Sequence, residues 1–298
     1  MSNITKTAII SVVGRPNVGK STLTNKLVGY KVAIVSNKPQ TTRTRITGVL
    51  TQGDCQFVFL DTPGLHKPRS KLGDFMVKVV TDTVSEVDVA ALVVEPKPEP
   101  GPAEESLIGQ IQAGGIPSIL VINKVDTVPR EELLAVIAAY AEKHNFDAVI
   151  PVSARTGEGT DVLLAELKKF ALEGPALFPE DMVSDQPERQ IAAEIIREKM
   201  LRLLEREVPH GVAVGIERWN EREDGLVEMS ATIYCEKASH KGIIIGKNGE
   251  MLKKIGKAAR LDIEKNLDTR VFLELWVKVK EDWRNNTFQM RNFGYQDE

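Results

Sequence analysis

Cysteine is nearly missing from this sequence: Cys55 and Cys235, about 180 residues apart, are the only two in 298. Such spacing excludes a disulfide framework and a cysteine-rich metal cluster, and it suits a reducing cytoplasm. Long hydrophobic runs are missing too. The longest, such as "VAALVV" (89–94), stop far short of the ~20 apolar residues that span a bilayer. The opening "MSNITKTAII" has neither an apolar core nor a small-residue cleavage site, so no signal peptide is expected. No internal repeat is visible. Neither sign of charge dominates, the formal net charge being −3.

What is present is an ordinary globular composition, 42% apolar and 27% charged, in a chain long enough for two cores. Its charge is unevenly spread. Residues 1–172 hold 19 basic and 18 acidic side chains, residues 173–236 hold 7 and 15, and residues 237–265 hold 8 and 3. A basic stretch inside an acidic half is a candidate nucleic-acid footprint, although charge alone favours a solvated helix face.

Short apolar runs at 8–13, 57–60, 89–94, 118–123 and 148–153 read as buried parallel strands. Helical patterns near 20–28, 72–85, 104–112, 131–144 and 160–172 separate most of them, which predicts an α/β domain with a mostly parallel sheet. "ITGVLTQGDCQFVFLD" reads as two strands about a turn at Gly53-Asp54, adding one antiparallel edge. "EGPALFPEDMVSDQPERQ" combines proline, glycine and acids without periodicity. The expected division is therefore a first domain at 1–172, a linker at 173–190 and a second domain at 191–298. The second reads as helix (about 190–207), two strands (212–218, 227–236), two helices (238–245, 250–266), a strand (271–280) and a short last helix, an α+β arrangement. "EPKPEPGPAEE" (95–105), with four prolines, reads as a stiff surface loop.

Behind the first strand stands "GRPNVGKST". Gly14 and Gly19 let the backbone curl around an anion so that successive N–H groups point inward, and the helix that follows adds its positive end. Lys20 reaches β- and γ-phosphates and the Ser21 hydroxyl suits Mg²⁺. The whole stretch, Gly14, Arg15, Pro16, Asn17, Val18, Gly19, Lys20, Ser21 and Thr22, is assigned to a nucleoside triphosphate. "NKVD" (123–126) follows a buried strand and so lies at the same sheet edge. Asp126, acceptor-only when ionised, suits the N1–H and amino protons of guanine, which adenine lacks. Asn123 ties the base to the phosphate loop and the Lys124 stem covers its face. "DTPG" (61–64) adds Asp61 for Mg²⁺ through water, with Thr62 and Pro63, and a Gly64 N–H for the γ-phosphate. In "SAR" (153–155), between Ser153 and Arg155, the Ala154 N–H is expected on guanine O6. In the gap between these motifs Thr42 is the choice for a Mg²⁺ ligand, with Thr41 its nearest competitor.

This ordered set resembles the translation-factor-related P-loop GTPases. "PQTTRTRITG" (39–48) looks like the first switch of the bacterial GTPases that include Era, Der and MnmE. Catalysis would fall to Lys20, Thr42, Gly64 and Asn17. Ras-like enzymes place a water-orienting Gln after the glycine of DTPG; Leu65 cannot do that, so unaided hydrolysis should be slow, about 10⁻⁴ to 10⁻² s⁻¹. Two roles fit Asn17: its side-chain oxygen holds a K⁺ beside the phosphates, as in similar GTPases, or it only shapes the turn after Pro16. A Der-type chain needs a second P-loop, and none occurs. An MnmE-type chain carries a large helical region and a late catalytic Cys, where this sequence reads "RNFGYQDE".

The second half decides among them. "GKNG" (246–249) stands between an apolar helix and a basic one, and resembles the loop with which KH domains clamp about four nucleotides. Gly246, Lys247, Asn248 and Gly249 would form the clamp, and Lys241, Lys253, Lys254 and Lys257 would flank the track. The element order resembles a type II KH domain. A P-loop GTPase domain followed by such a domain resembles the Era family over essentially the whole chain. That resemblance implies GTP/GDP and Mg²⁺ as ligands, binding near the 3′ end of small-subunit ribosomal RNA, action in 30S assembly, and a cytoplasmic monomer. It also implies loose association with the inner face of the cell membrane, for which the residues give no physical reason. The competing class is a membrane-linked signalling switch with the KH fold as a protein-interaction module. Trp276 and Trp283 are expected to pack, with Trp283 and Phe288 on the last helix as alternatives for stacking on bases.

Overall fold

The computed structural model describes residues 4–205 and 208–295. The chain forms two units: Met1–Val35, Thr42–Pro68 and Met76–Asp185 make the first, and Ser36–Thr41, Arg69–Phe75 and Gln186–Glu298 the second.

The first unit is built on β1 (Lys6–Val13), α1 (Lys20–Val28), β2 (Ile46–Gln52), β3 (Cys55–Asp61), α2 (Lys71–Ser85, from Met76 onward), β4 (Val89–Val94), α3 (Pro102–Gly114), β5 (Ser118–Ile122), α4 (Glu132–Ala141), β6 (Ala148–Pro151), α5 (Thr160–Leu167) and β7 (Leu172–Glu173). The sheet order is β2-β3-β1-β4-β5-β6, parallel except for the antiparallel β2 edge; β7 pairs antiparallel with Lys6 and Thr7 of β1. All six residues of β4 and all five of β5 are buried, as strands covered on both faces require. Alternate side chains serve opposite cores. Ala91, Val93, Ile119 and Val121 join Leu23 and Leu27 of α1 and Leu163 of α5. Ala90, Leu92, Val94, Leu120 and Ile122 join Val80 of α2, Leu107 and Ile111 of α3 and Val136 of α4. Parallel strands bring the chain out at one edge, so Gly14, Asp61, Glu95 and Asn123 all lie there.

The stretch read as a linker is tied to this sheet as far as residue 184. Gln56, fully buried on β3, accepts from the Leu177 and Phe178 N–H groups (2.8 and 3.0 Å) and donates to the Phe178 carbonyl (2.9 Å). The Val49 N–H donates to the Val183 carbonyl at 2.9 Å and Ser184 Oγ to the Thr47 carbonyl at 2.7 Å.

The second unit contains α6 (Glu188–Leu203), β8 (Val212–Glu221), β9 (Val227–Cys235), α7 (Ala238–Ile245), α8 (Glu250–Leu267), β10 (Val271–Val279) and α9 (Thr287–Asn292). The helix expected to reach about residue 207 closes at Leu203, and residues 206–207 lie outside the described residues. The sheet runs β10-β9-β8, with β10 parallel and β8 antiparallel to β9. Ile255, Ala259 and Ile263 fall at four-residue spacing on α8 and are buried with Ile195, Ile196 and Met200 of α6 and Ala231 and Ile233 of β9. One packing expectation fails. Trp276 is 56% exposed, because Phe272, Glu274, Trp276 and Lys278 share the sheet face turned from this core. Trp283 is fully buried in a 3-10 turn ahead of α9, its Nε1 donating to the Gly211 carbonyl at 3.0 Å.

Candidate functional site

The stretch from Gly14 to Gly19 joins β1 to α1. Gly19 caps α1 at φ 100°, and a Cβ there would stand 2.2 Å from Asn123 Nδ2, so only glycine fits. Asn17 also takes the left-handed region, at φ 67°. Val18 is buried in the core beneath the loop, while Pro16 lies against Gly64. Lys20 is buried, and its Nζ donates to the Gly14 and Arg15 carbonyls at 3.1 and 3.0 Å. Burial lowers the Lys20 pKa to about 8, against the opposing pull of Asp61. Burial raises Asp61 to about 6, although Lys20 and the Ser21 hydroxyl pull it down.

Three oxygens converge beside this lysine. Ser21 Oγ donates to Asp61 Oδ2 at 2.6 Å and lies 2.9 Å from Thr42 Oγ1. Asp61 Oδ1 is buried without a hydrogen-bond partner, so the carboxylate retains unused coordinating capacity. A hard, all-oxygen set with one free carboxylate oxygen fits Mg²⁺. Thr42 faces Ser21, whereas Thr41 Oγ1 donates to the Lys38 carbonyl at 2.6 Å. Thr62 Oγ1 ties the DTPG turn to the Val12 carbonyl (2.9 Å), and the Leu65 N–H donates to the Gly14 carbonyl at 3.2 Å, drawing the Leu65 side chain into the core. Pro63 lies between these anchors, and Thr22 follows Ser21, half-buried in the first turn of α1.

Asn123 joins three segments. Its Nδ2 donates to the Val18 carbonyl at 2.8 Å and its Oδ1 accepts from the Ala154 N–H at 2.9 Å. The Ala154 N–H expected on a guanine oxygen is the donor of that second bond. Asp126 Oδ1 accepts from Ser153 Oγ at 2.6 Å, and Oδ2 pairs with the exposed Arg155 at 2.5 Å. The Ser153 hydrogen bond and, secondarily, Arg155 hold Asp126 below the usual carboxylate range. Each oxygen keeps a second lone pair for a base edge.

In the second unit GKNG makes a left-handed corner. Gly246, Asn248 and Gly249 have φ of 72°, 52° and 78°. A Cβ on Gly246 would stand 2.7 Å from Met251 Cβ. Lys247, Lys253, Lys254 and Lys257 are exposed and Lys241 is half-buried; none of the five is in an ion pair among the described residues.

Residues 9–124 match the 50S ribosome-binding GTPase family, and residues 207–284 match the KH domain. GTPase Era of Ruminiclostridium cellulolyticum is 54% identical over 290 residues, 97% of either chain. That of Clostridioides difficile is 51% identical over 294 residues, covering 98% of this chain and 99% of the relative. The chain belongs to the Era family of GTPases. Among solved structures, an Aquifex aeolicus Era variant bound to GDP and aluminium fluoride superposes with a TM-score of 0.94 at 40% identity. Era in complex with MgGDPNP and nucleotides 1506–1542 of 16S ribosomal RNA superposes with 0.95, also at 40%. Both comparisons cover 98% of this chain and 100% of the other.

Two residues of this Era-family site escape a reading by motif. Glu95 lies within 2.6 Å of both Arg15 Nη2 and Lys124 Nζ. Glu104, 3% exposed, lies 3.1 Å from Arg15 Nε. Both fall in the proline-rich stretch read as surface loop. The available signal was position: Val94 pairs with Ile122, so Glu95 emerges from the sheet beside Asn123.

Proposed function

We propose that this Era-family GTPase is a switch that couples GTP binding and hydrolysis to the grip of its KH unit on the 3′-terminal segment of small-subunit ribosomal RNA during 30S assembly. The observation that supports it most is the pairing of two complete sites in one chain. Ser21, Thr42 and Asp61 converge beside Lys20, and a glycine-cornered GKNG loop stands among lysines free of ion pairs among the described residues. The matched family description speaks of the 50S subunit, whereas the full-length neighbour carries 16S RNA. The 16S reading is preferred because that neighbour includes the KH unit, which the matched GTPase region at 9–124 does not.

In this reading the backbone N–H groups of the 14–19 loop, Pro16 having none, and Lys20 hold the phosphates, and Asp126 takes the guanine N1–H and amino protons. Ser21, Thr42 and Asp61 would hold Mg²⁺, which neutralises charge on the β- and γ-oxygens. Water attacks the γ-phosphorus as its bond to the bridging oxygen breaks, giving GDP and phosphate. Lys20 stabilises the charge that shifts to the leaving oxygen, and the Gly64 N–H steadies the γ-phosphoryl group. Leu65 offers nothing to orient the water. Asn17, at φ 67° in the phosphate loop, would hold K⁺ through its side-chain oxygen, the ion supplying the positive charge of an arginine finger; the alternative role is to shape the turn after Pro16. Hydrolysis is then expected to run faster in K⁺ than in Na⁺ at equal ionic strength and to lose the difference in Asn17→Ala; equal wild-type rates in both salts remove the ion. The cysteines, both free and buried, suit the cytoplasm. Association with the inner face of the cell membrane is part of the same reading, and vesicle flotation of the full chain tests it.

Crosslinking to cellular RNA with and without a non-hydrolysable GTP analogue tests the assignment. The expected result is nucleotide-dependent crosslinks near the 16S 3′ end from residues flanking 246–249. Crosslinks only to protein would favour an interaction module instead.

A further inference from the structure

Lys124 occupies an uncomfortable backbone conformation. It is not glycine, yet its φ is 67°, and non-glycine residues persist there only when their surroundings hold them. Here the holding groups meet the ammonium. Lys124 Nζ donates to the Asn17 carbonyl and to Glu95 Oε1, each at 2.6 Å. The other Glu95 oxygen, Oε2, takes Arg15 Nη2 at 2.6 Å and has Lys97 Nζ at 3.3 Å. Arg15 divides its fork, with Nε on Glu104 Oε1 at 3.1 Å, and Glu104 also accepts from the Gly101 N–H at 3.2 Å at the start of α3. One carboxylate therefore bridges a cation of the phosphate loop and the lysine of the base-recognition loop. Burial alone would raise the Glu95 pKa, but Lys124, Lys97 and Arg15 together bring it below the ordinary value, so the bridge is ionised at neutral pH.

We propose that Glu95 is a positioning residue of the guanine pocket, which fixes the Lys124 side chain across the base position and locks the base loop to the phosphate loop. The inference rests on the guanine-nucleotide reading above and deepens it. A free lysine side chain populates many rotamers, and binding must otherwise remove that entropy. With both ends of its stem fixed in advance, Lys124 presents a ready-made wall to the purine face. Glu95 touches neither the phosphate-binding N–H groups nor the oxygens of Ser21, Thr42 and Asp61. Its loss should therefore weaken base-dependent affinity and spare chemistry.

The test uses the full chain as wild type, Glu95→Gln, Glu95→Asp, Lys124→Ala and the Glu95→Gln/Lys124→Ala double variant. Affinities for GDP and GTP are measured beside that for inorganic triphosphate, with kcat at saturating GTP. Glu95→Gln should raise Kd for both nucleotides about tenfold, with triphosphate affinity and kcat held within about twofold. Glu95→Asp, which keeps the charge, should recover part of the loss. In the Lys124→Ala background the Glu95→Gln effect should shrink below about threefold, since the carboxylate acts through that lysine. Unchanged nucleotide affinity in Glu95→Gln overturns the proposal. So does a loss that extends equally to triphosphate, or one that persists undiminished without Lys124. A wild-type protein that fails to bind GTP would instead sink the reading beneath it.

Discussion

Asp61 shows how a single residue can oppose stability and serve binding. It is a buried carboxylate with one unpartnered oxygen and a pKa raised to about 6. A group that holds its proton more tightly when folded contributes stability at low pH and loses it as pH rises through the folded value. The window is from about 4 to about 6, and the full shift is worth on the order of 3 kcal/mol. Asp61→Asn has no such titration. Without nucleotide or Mg²⁺, its stability relative to wild type should improve by roughly 2–3 kcal/mol across that window. Urea unfolding at stepped pH measures this, and parallel curves for the two proteins would refute it. With Mg²⁺ and GTP the order should reverse, because the neutral amide would hold the ion less tightly than the carboxylate.

The base pocket makes a second residue-level prediction. In the proposed pocket Asp126 would discriminate because an ionised carboxylate only accepts. Asp126→Asn should cut GTP affinity by roughly several-hundredfold or more, toward the ~10⁴–10⁵ discrimination that hydrogen-bonding sites reach. It should gain affinity for xanthosine triphosphate, whose 2-oxo group suits an amide donor. Competition binding with the two nucleotides decides; GTP affinity within a few-fold of wild type and no gain for the xanthine analogue would reject the assignment.

Among the elements, α8 carries two jobs on opposite faces. Ile255, Ala259 and Ile263 fill the second core, while Lys253, Lys254 and Lys257 face solvent beside the GKNG corner. Ile255→Ala removes a fully buried side chain and should destabilise this unit by about 2–5 kcal/mol. GTP affinity should hold, since the nucleotide residues lie before residue 156. A melt that loses its second-unit transition first, beside unaltered GTP binding, is the expected record. Loss of both together would place the two cores in one cooperative block.

The same elements show what a sequence can disclose. Buried parallel strands announce themselves as apolar runs, so β1, β3, β4, β5 and β6 were legible. Strand β7 was not: Leu172 and Glu173 are exposed, and only the partner at Lys6 and Thr7 makes them a strand. Gln56 was invisible for a related reason. An amide buried to bond Leu177 and Phe178 across 121 and 122 residues leaves no local pattern. The phosphate and base motifs were readable because their chemistry is local to each loop. Glu95 and Glu104 were not, because their partners come from other loops. Trp276 was misread although the period of two in "FLELWVK" places it with Phe272 and Lys278 on one face.

For the molecule as a whole, the division of labour between two units is the point at risk. In the proposed reading the GKNG glycines let phosphates approach the backbone, and Lys247 is exposed at the corner. Lys247→Asp with Asn248→Asp removes one cation and adds two carboxylates to a loop that buries neither side chain. Single-strand binding weakens with salt at a slope of about −0.7 per phosphate neutralised. Losing Lys247 should flatten that slope by about 0.7, and repulsion from the new acids should lower affinity further at every salt concentration. Asn248 leaves its φ of 52° to an aspartate, which tolerates that region nearly as well, so folding should change little. GTP affinity and the unaided hydrolysis rate should stay at wild-type values, because no nucleotide residue is touched. What should vanish is any acceleration or slowing of hydrolysis by RNA. The measurement is RNA affinity across a salt series, beside GTP affinity and turnover with and without RNA. If the variant keeps both its RNA affinity and its salt slope, the KH unit grips RNA elsewhere or grips another class of partner, and the coupling proposed between the two sites fails with it.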